Sequence, residues 1–336
     1  MHLKTPAALS LFFALAFATL VPAAELPPKM LLLAGAFAGS DTIIAVGERG
    51  TILRSADHAR TWQPAATVPA APFGPTATLT GVTFAPDAQH GWAVGHDALI
   101  LATADAGRTW QKSWQGENLS DSFLDVLALD ARHVLAVGAY GLCVETTDAG
   151  RTWTRRKITN NDYHLNRLTR GPAGTLYLAG EHGTLLRSRD AGAKWTSIDS
   201  PYDGSFYGIL PLDAHTLVAH GLRGRIYRSA DDGDNWQPVA IDQRGLIAAA
   251  VQLKGNTLLF AGQARALYLS RNSAQTAVAW PAPIATAISM LLELPSGEIL
   301  ALGEAGATVL EVGRVIPNPP SSPPPTLNAS DVPPAR

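Results

Sequence analysis

Hydrophobic and polar positions along this chain alternate in short runs and do not recur every third or fourth residue. Segments such as LTGVTFAP, SFLDVLALD, LNRLTRGP and FYGILPLD place an apolar side chain at roughly every second position. That is the period of a half-buried β-strand. Each is followed by a short apolar run ending in glycine, a tight turn, and another alternating run such as TILRS or TLLRS. Turn residues fall roughly every 8–12 positions, the spacing of all-β architectures. No apolar period of about 3.6 residues persists for more than a couple of turns, so helices are not expected.

The pattern repeats. Aligned on the glycine that closes each apolar run, the units are IAVGERGTILRS at Gly47, WAVGHDALILAT at Gly95, LAVGAYGLCVET at Gly138 and YLAGEHGTLLRS at Gly180. VAHGLRGRIYRS follows at Gly221, FAGQARALYLS at Gly262 and LALGEAGATVLE at Gly303. The intervals are 48, 43, 42, 41, 41 and 41 residues. Seven units of this length predict an all-β, seven-bladed propeller with four strands per blade. A closed ring also protects strand edges.

A second motif closes the first five units. DAGRTW occurs at 105–110 and 148–153, with looser versions at 57–62, 190–195 and 231–236. The aspartates (Asp57, Asp105, Asp148, Asp190, Asp231) are expected to close the turn by accepting backbone N–H groups two residues on. A Ser or Thr two positions earlier can add a second local bond, and a glycine tolerates positive φ. Trp62, Trp110, Trp153, Trp195 and Trp236 are expected to wedge between neighbouring sheets. Five carboxylates spaced one blade apart cannot converge on one substrate. The loop reads as a strut.

The two ends differ from the repeat. Residues 1–24 have a basic start, an apolar run from about Ala7 to Leu20 and small residues before Glu25, the layout of a secretory signal cleaved after Ala23 or Ala24. An uncleaved anchor is the alternative. No cysteine follows the cleavage region, so lipid attachment is not expected, and the mature chain carries no run long enough to span a bilayer. Residues 316–336 hold eight prolines in 21 positions and read as a disordered, polyproline-like tail. The propeller is therefore expected over 25–315. Unit seven stops near Glu311 without a fourth strand. Residues 25–30 are expected to cover that edge, with 313–316 as the alternative.

Composition narrows the partners. A net charge of −2 and a pI near 6.5 give no bulk reason for nucleic acid or an anionic membrane. Only six of the 26 basic residues are lysine, which favours planar, hydrogen-bonded contacts. The single thiol, Cys143, cannot form an internal disulfide, so stability must come from packing.

The Asp loop resembles the Asp-box, or BNR repeat, of sialidases and other propellers. The wider units, best seen in WAVGHDALILATADAGRTW and LAVGAYGLCVETTDAGRTW, resemble the photosystem II stability and assembly factor family from Leu31 to about Val315. The resemblance implies a non-enzymatic seven-bladed propeller that helps membrane complexes assemble. It also implies bacterial relatives linked to exporters of the resistance–nodulation–division type. Three departures stand out. Unit one has His58-Ala59 in place of x-Gly, unit six (RNSAQTAVAW) keeps only a Trp, and unit seven has no box.

A sialidase-like glycoside hydrolase or glycan-binding propeller is the alternative. It needs three arginines around a carboxylate and carries an early Arg-Ile/Leu-Pro, and no such tripeptide occurs. The nine histidines include no H-x-H or H-E-x-x-H pair, so no metal and no cofactor are expected; His96, His164 and His182 read as hydrated rim residues.

Propeller topology puts the turns between second and third strands on the same face as the connections between blades, and the Asp loops on the other. Blades three to six would then present Arg155, Arg156, Lys157, Arg167, Arg223, Arg244 and Arg265 on one face, among Tyr140, Tyr163, His182, Tyr202 and Phe206. Arg and Tyr are enriched at protein interfaces. The expectation is an exported, periplasmic, monomeric scaffold that binds a protein subunit of a membrane complex there. A solvated rim is the competing reading.

Overall fold

The structure is a computed structural model that describes residues 30–67, 77–242, 245–254, 256–281 and 284–310. The expected signal segment, the Pro-rich tail and both candidate closing segments (residues 25–30, apart from Met30, and 313–316) lie outside these residues. Seven antiparallel sheets form the ring. Their innermost strands are Leu32–Phe37, Leu79–Phe84, Phe123–Ala128, Leu165–Arg170, Phe206–Pro211, Ile247–Gln252 and Ile288–Glu293. Blades one to six have four strands each, and blade seven has three among the described residues. Blade two gains a fifth strand, because Ala66–Thr67 from the preceding connection pairs in parallel with Thr109–Gln115.

The second strand of every blade is buried along its whole length, as its unbroken apolar run requires. Core clusters form between blades. Ile44 and Val46 of blade one pack with Leu79, Ala93 and Leu101 of blade two. The ring closes where Ile43, Ala45 and Leu53 of blade one meet Leu294, Leu300 and Leu302 of blade seven.

The glycine used to align the units has a steric cause. A Cβ on Gly138 would lie 2.1 Å from the Ser122 carbonyl oxygen, and the other six aligned glycines show the same clash at 1.8–2.5 Å. Their neighbours explain it. Each residue after the glycine donates its N–H to the residue before the innermost strand, as in Glu48 to Leu31, Ala139 to Ser122 and Glu304 to Ala287. The clamp draws two backbones together and leaves no room for a side chain. Opposite each glycine the innermost strand bulges by one residue. The extra residues, Leu33, Thr80, Leu124, Asn166, Tyr207, Ala248 and Ser289, line the central channel.

The Asp loops close on themselves by side-chain bonds, with one change to their expected wiring. Asp105 Oδ1 accepts the N–H of Thr109, four residues on rather than two, at 2.9 Å, and Oδ2 accepts the Thr109 hydroxyl at 2.7 Å. Thr103 donates its hydroxyl to Asp105 and accepts the N–H of Gly107 at 3.1 Å. The residue before the glycine and the glycine itself both have positive φ, because the turn needs two successive left-handed residues. Box one forms the same turn with His58 and Ala59.

Unit six is a correction. It keeps the whole turn, with Ser270 and Asn272 in place of Ser/Thr and Asp: Asn272 Oδ1 accepts the N–H of Thr276 at 3.0 Å. Ala277 stands where the box tryptophan would be. Trp280 is three residues further along and packs toward blade seven. The five box tryptophans each join the cluster shared with the preceding blade. Trp110 is fully buried, whereas Trp153, Trp195 and Trp236 are only partly so.

Arginines in the recurrent "RS" ending tie three boxes, those of blades two, five and six, to the blade before. Arg54 donates to the Ala106 carbonyl at 3.3 Å, Arg187 to Asp232 at 2.7 Å and Arg228 to Ser273 at 2.7 Å. Boxes also bond the turn between first and second strands, as in Ala149 N–H to the Arg132 carbonyl at 3.0 Å. Boxes and interblade connections therefore occupy opposite faces.

Candidate functional site

On the connection face, the turns between second and third strands form a ring of tips. Arg49, Asp97, Tyr140, His182, Arg223 and the pair Ala264–Arg265 all sit at positive φ, where a side chain costs roughly 1 kcal/mol more than glycine. Such bulk held in a strained turn and turned to solvent is a presentation device. Tyr140 is the extreme case, 71% exposed.

Around Tyr140 the connections supply partners. Its ring meets His164 edge-on at 4.9 Å, and Tyr163 lies against His182 at 4.3 Å. The Tyr163 carbonyl accepts the Gly141 N–H at 2.9 Å, which fixes this connection against the tip of blade three. His164 donates its backbone N–H to Glu181 Oε2 at 3.0 Å and its ring lies 3.5 Å from Oε1. One blade on, Tyr202 stacks on Tyr227 and carries the Arg225 guanidinium 5.9 Å from its ring centre. Arg223 and Arg225 border a cavity of about 530 Å³ beside Tyr227.

The expected basic residues divide. Arg155 is 61% exposed and pairs with Asp121 of the preceding connection, and Lys157 is exposed beside it. Arg223 and Arg265 are exposed turn tips. Arg244 lies outside the described residues. Two expectations are corrected. Arg156 pairs with Glu145, which His133 also bonds at 2.7 Å, and donates to the Ala193 carbonyl at 3.2 Å. Those partners belong to the box side, so its side chain leaves the connection face.

Arg167 is not on a connection at all. It sits in the innermost strand Leu165–Arg170, where the register points it into the channel, three-quarters buried and 3.8 Å from Asp125. Asp125 is wholly buried; desolvation raises its pKa and the nearby Arg167 opposes this. It accepts the Leu168 N–H at 2.8 Å. His220 completes this tier. It donates Nδ1–H to the Ile247 carbonyl at 3.0 Å, and burial pushes its pKa down to about 4. Neither Asp125 nor His220 is marked by any sequence motif; a lone charge in an otherwise apolar strand was the available signal.

Comparisons with known proteins agree with this architecture. Residues 111–258 match the family model described as photosynthesis system II assembly factor YCF48. Over that stretch, less than half of the chain, the sequence is similar to this assembly-factor family. The matched stretch runs from the outer strand of blade two into blade six and contains the Tyr140, His182 and Arg223 tips. Among solved structures it is similar to YCF48 bound to a D1 peptide, at 20% identity and a TM-score of 0.70, covering 84% of this chain and 92% of that one. YCF48 from Cyanidioschyzon merolae is 18% identical with a TM-score of 0.69, covering 84% and 95%. The WD40 β-propeller domain of Doa1 is 12% identical with a TM-score of 0.63, covering 84% and 92%. At these identities the structural likeness is one of fold. No curated protein matches the chain.

Proposed function

We propose that this protein is an exported, periplasmic, non-catalytic scaffold that binds a segment of a membrane protein on its connection face and assists assembly of the complex containing it. One observation carries the reading: the arc of strained, solvent-facing tips at Tyr140, His182 and Arg223, backed by the aromatic rings of Tyr163, His164 and Tyr202. Rigid aromatic and arginine anchors on an ordered frame are what protein recognition uses. The family match falls on the blades that bear the arc. The similar YCF48 structure holds a D1 peptide, which supports a peptide segment as the kind of ligand. An exporter of the resistance–nodulation–division type is the membrane complex we favour as partner. For glycoside cleavage three converging arginines would be needed, and the arginines lining the central cavities are Arg167 and Arg170 among the described residues.

The test is co-purification from envelope extract with Tyr140→Ala and Arg223→Glu, singly and combined. Both changes are on exposed tips, so folding should survive. Loss of the partner from the combined variant is expected. Full recovery with an unchanged melting temperature would make the arc a solvated rim.

A further inference from the structure

The mouth of the central channel on the connection face has the composition of a small-molecule site. Its cavity, about 350 Å³, combines apolar lining from Leu31, Leu33, Leu124, Leu246 and Ile288 with the polar side chains of Thr80, Asn166, Gln263 and Ser289. That volume lies in the range of small-ligand pockets, about 300–1,000 Å³. Arg167 and Tyr207 line both this cavity and a second one of about 380 Å³ behind it, so they stand at the floor of the mouth.

Both floor residues have unmet donors. The partner of Arg167 among the described residues is one Asp125 oxygen at 3.8 Å, beyond hydrogen-bonding reach. The Tyr207 hydroxyl has no acceptor among the described residues, although the residue is 36% exposed to the lumen. A planar guanidinium with free N–H groups beside apolar side chains is matched by a carboxylate, which can accept two of them side by side. We propose that the channel mouth binds a small monocarboxylate with an apolar body, its carboxylate on Arg167 and Tyr207 and its body against the leucine wall.

The surrounding charges select for one negative charge. Glu304 lies at the rim, its carboxylate accepting the Ala287 N–H at 3.2 Å, and would repel a second acidic group there. Asp125 behind the floor disfavours a dianion such as phosphate. His220, neutral near neutral pH, adds no charge. Arg167 is thus the cation that orients the ligand, charge inward and body outward. The site is separate from the tips that carry the partner-binding reading.

Calorimetric titration of the purified chain with octanoate, octanol, octylamine and succinate tests this. Octanoate should bind saturably and at least about tenfold more tightly than the other three, the margin expected of a charge-assisted pair. Tyr207→Phe should weaken it severalfold. Arg167→Met leaves Asp125 unpaired, so the double variant Asp125→Asn/Arg167→Met is the safer removal of the charge; it should abolish the preference over octanol. Ala248→Phe, which fills the mouth without touching a charge, should block binding. Equal binding of octanoate and octanol overturns the proposal, as does octanoate binding that survives Ala248→Phe. So does saturable binding of a short peptide with a free C-terminal carboxylate where octanoate does not bind, because the occupant is then a chain end.

Discussion

Gly138→Ala isolates the close approach that makes the aligned glycines obligatory. The backbone there is extended, with φ of −168°, so alanine meets no conformational penalty. The obstacle is space. The new Cβ would stand 2.1 Å from the Ser122 carbonyl oxygen and 2.8 Å from the Phe123 Cα, all of it backbone that cannot rotate away. Overpacking costs about 1–3 kcal/mol, and pushing the strands apart weakens the Ala139-to-Ser122 bond, worth about 0.5–1.5 kcal/mol. Alanine's lower unfolded-state entropy offsets part of this, by about 0.4–1 kcal/mol. The net loss should be about 2–3 kcal/mol. Gly174→Ala is the complementary control: its φ is +81°, but nothing lies within 4 Å of the added carbon. It should cost about 1 kcal/mol, from the left-handed backbone alone. Denaturant unfolding of both variants decides. If Gly138→Ala falls within about 0.5 kcal/mol of the parent chain, or is milder than Gly174→Ala, the steric reasoning fails.

Arg187→Ala removes a guanidinium that is 20% exposed and bonded to both the carbonyl and the carboxylate of Asp232; it should lower unfolding stability by about 1–3 kcal/mol. The box aspartates have lowered pKa values, held down by their hydroxyl and N–H donors, Asp148 and Asp231 to about 2. Their stabilisation is therefore complete above the unfolded value of about 4 and is lost as pH falls toward 2, which Asp105→Asn should partly flatten in acid-unfolding curves. His220 acts in a higher window: the unfolded chain takes up its proton near 6.5 and the folded chain only near 4, so stability falls between those values. His220→Gln should remove that slope in pH-dependent melts.

The fold was legible because it is written seven times. Each unit repeats the strand alternation and the glycine, and errors in one copy are corrected by the others. Box six was missed for the opposite reason. Its carboxylate became Asn272 and its tryptophan became Ala277, while Trp280 offered a false marker three residues on. The arginine patch was legible at Arg223, a turn tip, and at Arg155, the last residue of a short outer strand. It failed at Arg156, one residue on, and at Arg167, inside an innermost strand, because strand boundaries and register decide where a side chain points, and a shift of one residue reverses it. The ties made by Arg54, Arg187 and Arg228 were visible as recurrent "RS" endings, but nothing in a single strand says that its side chain reaches the next blade.

The bulge at the start of every innermost strand separates two kinds of evolutionary freedom. Its neighbours in the chain are bound to the ladder and to the interblade cores, and substitutions there disturb the whole ring. The bulged residue has no cross-strand partner of its own and looks into the lumen. Leucine, threonine, asparagine, tyrosine, alanine and serine all occupy this position within one chain. Thr80 and Asn166 also bond the next blade through the Phe123 and Phe206 carbonyls, but the other five sites can drift separately while the frame around them stays fixed. A propeller built this way can change what its bore accepts by single substitutions, without first evolving a more stable frame to tolerate them.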